Sequence, residues 1–192
     1  MNPDLRGNPD RVRWNARYAG DFTPSFEPHP LAVGALSLEL PDGPVLDLAC
    51  GASGSVLLAA EAGRSAIGVD VSDAALELLG AEIGRRQAGD RVRLVQADLT
   101  AWRPEAYAFA LVLCAGYWDR DLFPAAVAAV RPGGLLGWEA LTTDALNVRP
   151  GMPPQWCLGT GEPASLLPGN WELISEEEFP ERSRRRLLAR RV

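Results

Sequence analysis

Apolar residues fall along this chain in short, nearly continuous runs, separated by segments with helical spacing. The first run is "PVLDLA" (44–49), and "SVLLAAEAG" (55–63) after it reads as a helix closed by Gly63. "SAIGVDV" (65–71) is a second strand ending at Asp70. Ser72 or Asp73 caps the next helix, "AALELLGAEIGRRQAG" (74–89), whose Leu76, Leu79 and Ile83 share one face. "RVRLVQAD" (91–98) alternates as a strand ending at Asp98, and "YAFALVLCAG" (107–116) is an apolar fourth strand. "RDLFPAAVAAVRPGG" (120–134) reads as a helix with a Pro-Gly-Gly stop and Pro124 in its first turn. "LLGWEAL" (135–141) follows as a fifth strand.

Strands alternating with helices imply a parallel sheet, and continuous apolar strands imply that both its faces are covered. The rhythm then changes. Residues 142–169 are rich in Pro and Gly with weak periodicity, as expected of a lid or insertion. "WELISEEEF" (171–179) and "RSRRRLLARRV" (182–192) close the chain as two strands around "PER". The expectation is an α/β, three-layer α/β/α Rossmann-like fold. Its seven-stranded, mostly parallel sheet ends in a C-terminal antiparallel hairpin, all in one domain over 1–192. Residues 1–40 would form an N-terminal cover and 142–169 a lid-like insertion.

Composition narrows the partners. The chain has 192 residues, 47% of them hydrophobic and 23% charged, as in globular proteins. All 19 basic residues are Arg, which reads as compositional bias, and 25 acids leave a net charge of −6. That balance disfavours a nucleic-acid or anionic-membrane partner. The N-terminus lacks the apolar core of a signal peptide, and no run approaches the roughly 18 residues of a membrane span. Cys50, Cys114 and Cys157, odd in number and widely spaced, point to free thiols in a reducing cytoplasm. A soft-metalloid thiol set is a sharper reading of the three, but small buried cysteines in such turns need no chemistry. With one His, no metal-ligand spacing exists. In the closing strand, Arg184-Arg185-Arg186 would turn to both faces and is read as a solvated strand end.

In parallel α/β sheets the ligand crevice lies at the carboxyl ends of the strands. Here Asp47 lies in the first strand, Asp70 closes the second and Asp98 the third. Asp70 follows Asp47 by 23 positions, a spacing at which an acid reaches a ribose hydroxyl. The turn Ala49-Cys50-Gly51-Ala52-Ser53-Gly54 is free of bulk, so backbone can approach a ligand. A nucleophile elbow at Ser53 fails, because Gly51-Ala52-Ser53-Gly54-Ser55 lacks the final Gly of G-x-S-x-G and His29 precedes the Ser. A nicotinamide dehydrogenase fails as well. Ala49 stands at the first Gly of G-x-G-x-x-G, and Asp47 is unfavourable beside a pyrophosphate. An acid there suits a cationic amino group. A ligand with an ammonium, a ribose and an adenine but no phosphate is S-adenosylmethionine.

The chain resembles the class I S-adenosylmethionine-dependent methyltransferases over nearly its whole length. "VLDLACGASG" (45–54) resembles their first motif, "IGVDVSDAALELL" (67–79) the second and "VRLVQADLTAW" (92–102) the third. "FALVLCAGYWDRDLFPAAVAAVRPGGLLGWEAL" (109–141) resembles the strand-helix-Pro-Gly-Gly-strand block. The first motif departs from D-x-G-x-G-x-G at Ala49 and Ser53. The resemblance implies Asp47 with Ala49, Cys50 and Gly51 at the methionine portion, Asp70 at the ribose and Val71 against the adenine. It implies Asp98 and Leu99 at the adenine amino group, and Cys114 and Ala115 beneath the sulfonium.

"RWNARYAGDFTPSFEPHPLAVGAL" (13–36) is similar to the N-terminal segment of tellurite-resistance and thiopurine-type methyltransferases, and residues 140–174 to their insertion between the fifth and sixth strands. That likeness implies Trp14, Arg17 and Tyr18 near the cofactor, Arg17 against its carboxylate, and Phe26 to Pro30, including His29, near the methyl group. Tyr117, Trp118 and Trp156 would rim a small-molecule pocket. No general base stands out: Lys is absent, His29 is single, and Asp119, Asp121 and Glu139 fit helix caps or exposed positions equally well. A soft nucleophile, a thiol or metalloid oxyanion, needs none. The expectation is a cytoplasmic enzyme, monomer or homodimer, methylating a small molecule. An O- or N-methyltransferase and a non-catalytic S-adenosylmethionine-binding protein are the alternatives.

Overall fold

The computed structural model describes residues 5–19 and 22–192. Two helices come first, α1 (Pro9–Tyr18) and α2 (Pro30–Leu36). The alternating core follows: β1 (Val45–Leu48), α3 (Ser55–Glu61), β2 (Ala66–Asp70), α4 (Asp73–Arg85), β3 (Val92–Gln96), β4 (Phe109–Ala115), α5 (Phe123–Ala129) and β5 (Val130–Leu141). A one-turn helix α6 (Ala145–Val148) opens the irregular stretch before β6 (Trp171–Phe179) and β7 (Arg184–Arg191). Among the described residues no helix is long and apolar enough to cross a membrane.

The seven strands form one sheet in the order β3-β2-β1-β4-β5-β7-β6. β1 to β5 pair in parallel, and β7 runs antiparallel to both β5 and β6. The order reverses direction at β1 and β4, so a crevice opens above the carboxyl ends of these two strands. Two apolar clusters cover the sheet. α2, α3 and α4 bury Leu31, Val56, Leu57 and Leu79 on one face, against Val45, Leu111, Leu113 and Leu188. α5 buries Phe123, Ala126 and Val127 on the other, against Leu46, Val112, Leu136 and Trp138.

Three boundaries depart from the sequence reading. β3 stops at Gln96, and Asp98 lies two residues past it because its carboxylate folds the chain into a turn onto the Thr100 N–H. The helix read over 120–134 is only α5, since Val130 turns extended (ψ 130) ahead of Arg131 and Pro132. The Pro-Gly-Gly stop falls inside a register shift of β5: Phe109 pairs with Val130, but Leu111 pairs with Leu135. The Arg triplet is no solvated strand end. Alternation in β7 sends Arg184 and Arg186 to the buried Glu139, while Arg185 bonds Glu178 and the carbonyls of Gly159 and Glu162.

Candidate functional site

The turn after β1 is built on positive-φ backbone. Ala49 (φ 51) and Gly51 (φ 53) both occupy the left-handed region, which carries no penalty at Gly51 and strains Ala49. Ser53 does not share that conformation. Its hydroxyl accepts the Ser55 N–H at 3.2 Å and so helps start α3. Gly54 is required by crowding: a Cβ there would overlap the Phe26 carbonyl oxygen and lie 2.7 Å from its carbon. The segment before α2 is thereby pressed onto the turn, and Phe26 itself has φ 53.

Three carboxylates stand at or just past the carboxyl ends of β1, β2 and β3 in different states. Asp70 accepts the Gly51 N–H on one oxygen and the Ser72 N–H on the other, both at 2.8 Å. Burial raises its pKa, and these bonds partly offset the rise. Its remaining lone pairs suit two hydroxyls of a ribose. Asp98 takes Thr100 on one oxygen and the Asn8 amide at 2.7 Å on the other. Asp47 has no hydrogen-bond partner among the described residues and is 4% exposed. Burial, and then the neighbouring Asp70, push its pKa up to about 7. A buried acid lacking donors is suited to a cationic group from outside the chain.

The remaining cradle residues lie around these acids. Val71 is half-buried and its carbonyl accepts from Gln96. Leu99 is buried, and Ala115 closes β4 beside Glu139. Cys50 packs with the α3 cluster and Cys114 with the α5 cluster, so the two thiols lie on opposite faces of the sheet. Burial pushes both thiols up, and Cys157 as well. No group of three or more His, Cys, Asp or Glu among the described residues could hold a metal ion. An open groove of about 550 Å³ between residues 42–44 and 62–65 lies at the opposite, amino end of the strands.

α1 lies across the carboxyl ends of β2 and β3, and polar contacts hold it there. No α1 residue is fully buried. Arg11 forks both oxygens of Asp73 at 2.8 Å, and Asn15 bonds Asp73 and Ser72 at 2.7 Å. At the end of α1 the Tyr18 hydroxyl lies against Gly51, where a Cβ would run into it. Arg17 is exposed and its contact is with the Trp14 ring, 5.6 Å away; the residue that reaches the turn is Tyr18. The irregular stretch before β6 meets α1 through Arg13, which sits 4.5 Å from the Trp156 ring.

On the β4–β5 side two expectations, for Trp118 and Glu139, are corrected. Trp118 does not rim a pocket: it is 4% exposed and packs on Phe123 and Trp138 in the core. Tyr117 is half-buried, and burial raises its hydroxyl pKa. Its carbonyl accepts from Trp138 and Cys114, which fixes the turn. Asp119 is a cap, accepting the Asp121 and Leu122 N–H groups at 2.8 Å. Glu139 is neither cap nor exposed. It is buried and held by Arg184, Arg186 and His29; burial pushes its pKa up, but His29 and Arg186 bring it down to about 2. His29 caps α2: its Nδ1 accepts the Leu31 N–H at 3.2 Å, which places the proton on Nε2, 3.5 Å from Glu139. Sequence reasoning missed Asn8, Arg11, Asn15 and this Glu139 cluster. Only the Asn-Pro start of α1 signalled a cap, and no local pattern reveals a partner sixty residues away.

Residues 45–134 match the model of a family described as a methyltransferase domain. No curated protein matches the chain in sequence. Among solved structures, one concerned with conversion of a disulfide bond into a thioacetal group during echinomycin biosynthesis is 20% identical, with TM-score 0.68 over 95% of this chain and 93% of that one. Geranyl diphosphate C-methyltransferase from Streptomyces coelicolor A3(2), in complex with S-adenosyl-L-homocysteine, is 14% identical, with TM-score 0.66 over 84% and 76%. An S-adenosylmethionine-dependent methyltransferase from Mesorhizobium loti is 18% identical, with TM-score 0.64 over 84% and 98%. At these identities the likeness establishes the fold. The block that matches the methyltransferase-domain model contains the turn, Asp47, Asp70 and Asp98.

Proposed function

We propose that this methyltransferase domain, with S-adenosylmethionine as its cofactor, methylates a small molecule on a soft atom, a thiol sulfur or a metalloid oxyanion. The cofactor supplies a methyl group on a sulfonium. The chain supplies the rest: Asp47 faces the ammonium, Asp70 the ribose hydroxyls, and Asp98 with Leu99 and Val71 the adenine. Ala49 to Gly51 offer bare backbone, and Cys114 and Ala115 form the floor. α1, with Tyr18 at its end, excludes water from above. Methyl transfer is an in-line displacement, so alignment and dryness are most of what a protein contributes.

The observation that carries the acceptor class is that the candidate bases held inside the β4 and β5 ends, His29, Glu139 and Asp119, are all engaged, while Asp121 is exposed in the turn before α5. His29 has both ring nitrogens engaged, Glu139 is locked between cations, and Asp119 is spent on a cap. A phenol or an ammonium must shed a proton as it is methylated, whereas a thiolate or an oxyanion arrives without it. The 20% identical structure tied to sulfur chemistry in echinomycin biosynthesis is in keeping with this reading. The test incubates the protein with S-adenosylmethionine and matched thiol, selenite or tellurite, phenol and amine acceptors, following S-adenosylhomocysteine and methylated product. Turnover with thiol or metalloid is expected. Turnover confined to phenols or amines overturns the acceptor class, and cofactor binding without turnover of any acceptor overturns the enzyme.

A further inference from the structure

Four groups meet at the carboxyl end of β5 and are unequally engaged. Glu139 brings one negative charge. Arg184 and Arg186 bring two positive ones, and His29 shares an oxygen of Glu139 with Arg184. Arg186 is fully used. Its Nε and Nη2 grip one Glu139 oxygen at 2.9 and 2.8 Å, its Nη1 lies 3.6 Å from Glu177, and its plane covers Phe179.

Arg184 is different. Among the described residues its one hydrogen bond is a long one, 3.3 Å from Nη1 to Glu139, so most of its five donors are uncommitted there. Its register partners are Leu141 and Phe179, and no acid stands opposite. The side chain is 29% exposed, and Nη1 lies 3.8 Å from where a Gly116 Cβ would be. The uncommitted donors of Arg184 are therefore presented beside the turn leading from β4 into Tyr117.

We propose that Arg184 is a specificity-determining residue that receives a carboxylate on the acceptor, distinct from the atom that is methylated. This rests on the acceptor lying at the β4 and β5 ends, as in the proposed function. Buried Glu139 is its positioning residue. Glu139 holds Arg184 at the turn but takes only one of its donors, and a planar carboxylate completes the fork. A neutral acceptor of the same shape leaves the guanidinium half-satisfied.

The experiment is calorimetric titration of 4-mercaptobenzoate and of its methyl ester into the protein saturated with S-adenosylhomocysteine, under reducing conditions at pH 7.5. The acid is expected to bind at least about tenfold more tightly than the ester, the scale of one charge-assisted fork. Arg184→Met brings the ratio to within about twofold, chiefly by weakening the acid, and Arg184→Lys keeps part of it. A ratio near one in the wild type, a ratio that survives in Arg184→Met, or failure of both probes to bind overturns the proposal. Saturation with S-adenosylhomocysteine is measured first, so loss of the cofactor reading is seen separately. The acid-to-ester ratio without cofactor then still decides for or against Arg184.

Discussion

With the ammonium of the proposed cofactor beside it, Asp47 should make binding a proton-releasing event. Its carboxyl is buried, finds no donor among the described residues and shares the site with Asp70, which together raise its pKa from 3.8 to about 7. An ammonium placed beside it favours the ionised form and lowers that pKa again. Below pH 7 the free protein must then lose a proton to bind. Each unit of difference between free and bound pKa is worth about 1.4 kcal/mol, or tenfold in affinity. If the bound pKa returns to about 5, affinity for S-adenosylhomocysteine rises by about 25-fold from pH 5 to pH 7, out of a total span of about a hundredfold, and levels off near pH 8. Titrations at four pH values between 5.5 and 8.5, in buffers of different ionisation heat, read both the slope and the protons released. Asp47→Asn flattens the profile. A flat profile in the wild type, or an unchanged slope in Asp47→Asn, refutes the reasoning. Folding stability runs with the opposite sign. A raised folded pKa favours the fold below about pH 4, and that contribution is lost as the pH climbs through 7.

Gly54→Ala drives a methyl into the Phe26 carbonyl, 2.7 Å from its carbon, and should destabilise by about 2–4 kcal/mol, lowering Tm by roughly 5–10 °C. Ala49→Gly relieves a left-handed alanine at φ 51. After the added unfolded-state entropy it should still gain about 0.5–1 kcal/mol by thermal unfolding; a loss of that size contradicts the strain argument. Asp73→Asn removes the carboxylate that Arg11 grips, so hydrogen exchange over 9–18 should quicken with little change in Tm. Arg11 lowers the Asp73 pKa to about 2, so the same loosening should appear in the wild type as the pH falls from about 4 toward 2.

The strand-helix alternation and the closing hairpin were legible because β1, β2, β4 and the second half of β5 are buried on both faces and α3 and α4 carry a helical stripe. The acids Asp47, Asp70 and Asp98 were legible because a carboxylate at the end of an apolar strand is costly to bury without a partner, and three such ends converge on one crevice. Trp118 was misjudged because an indole after a strand packs into the core as readily as it rims a pocket, and nothing local distinguishes the two. The Arg triplet was misjudged because its partner, Glu139, is 45 to 47 residues away in sequence and meets it only through antiparallel pairing. Arg11 and Asp73, 62 residues apart, were hidden for the same reason. Such polar ties carry no periodicity, so only the folded chain reveals them.

The central claim is that Asp70 and the 49–51 turn hold S-adenosylmethionine. Titrating S-adenosylmethionine and S-adenosylhomocysteine into wild type and Asp70→Ala at pH 7.5 tests it most directly. Micromolar binding of both by wild type, weakened at least about tenfold in a folded Asp70→Ala, is the predicted result. No binding of either ligand by well-folded wild type contradicts the account.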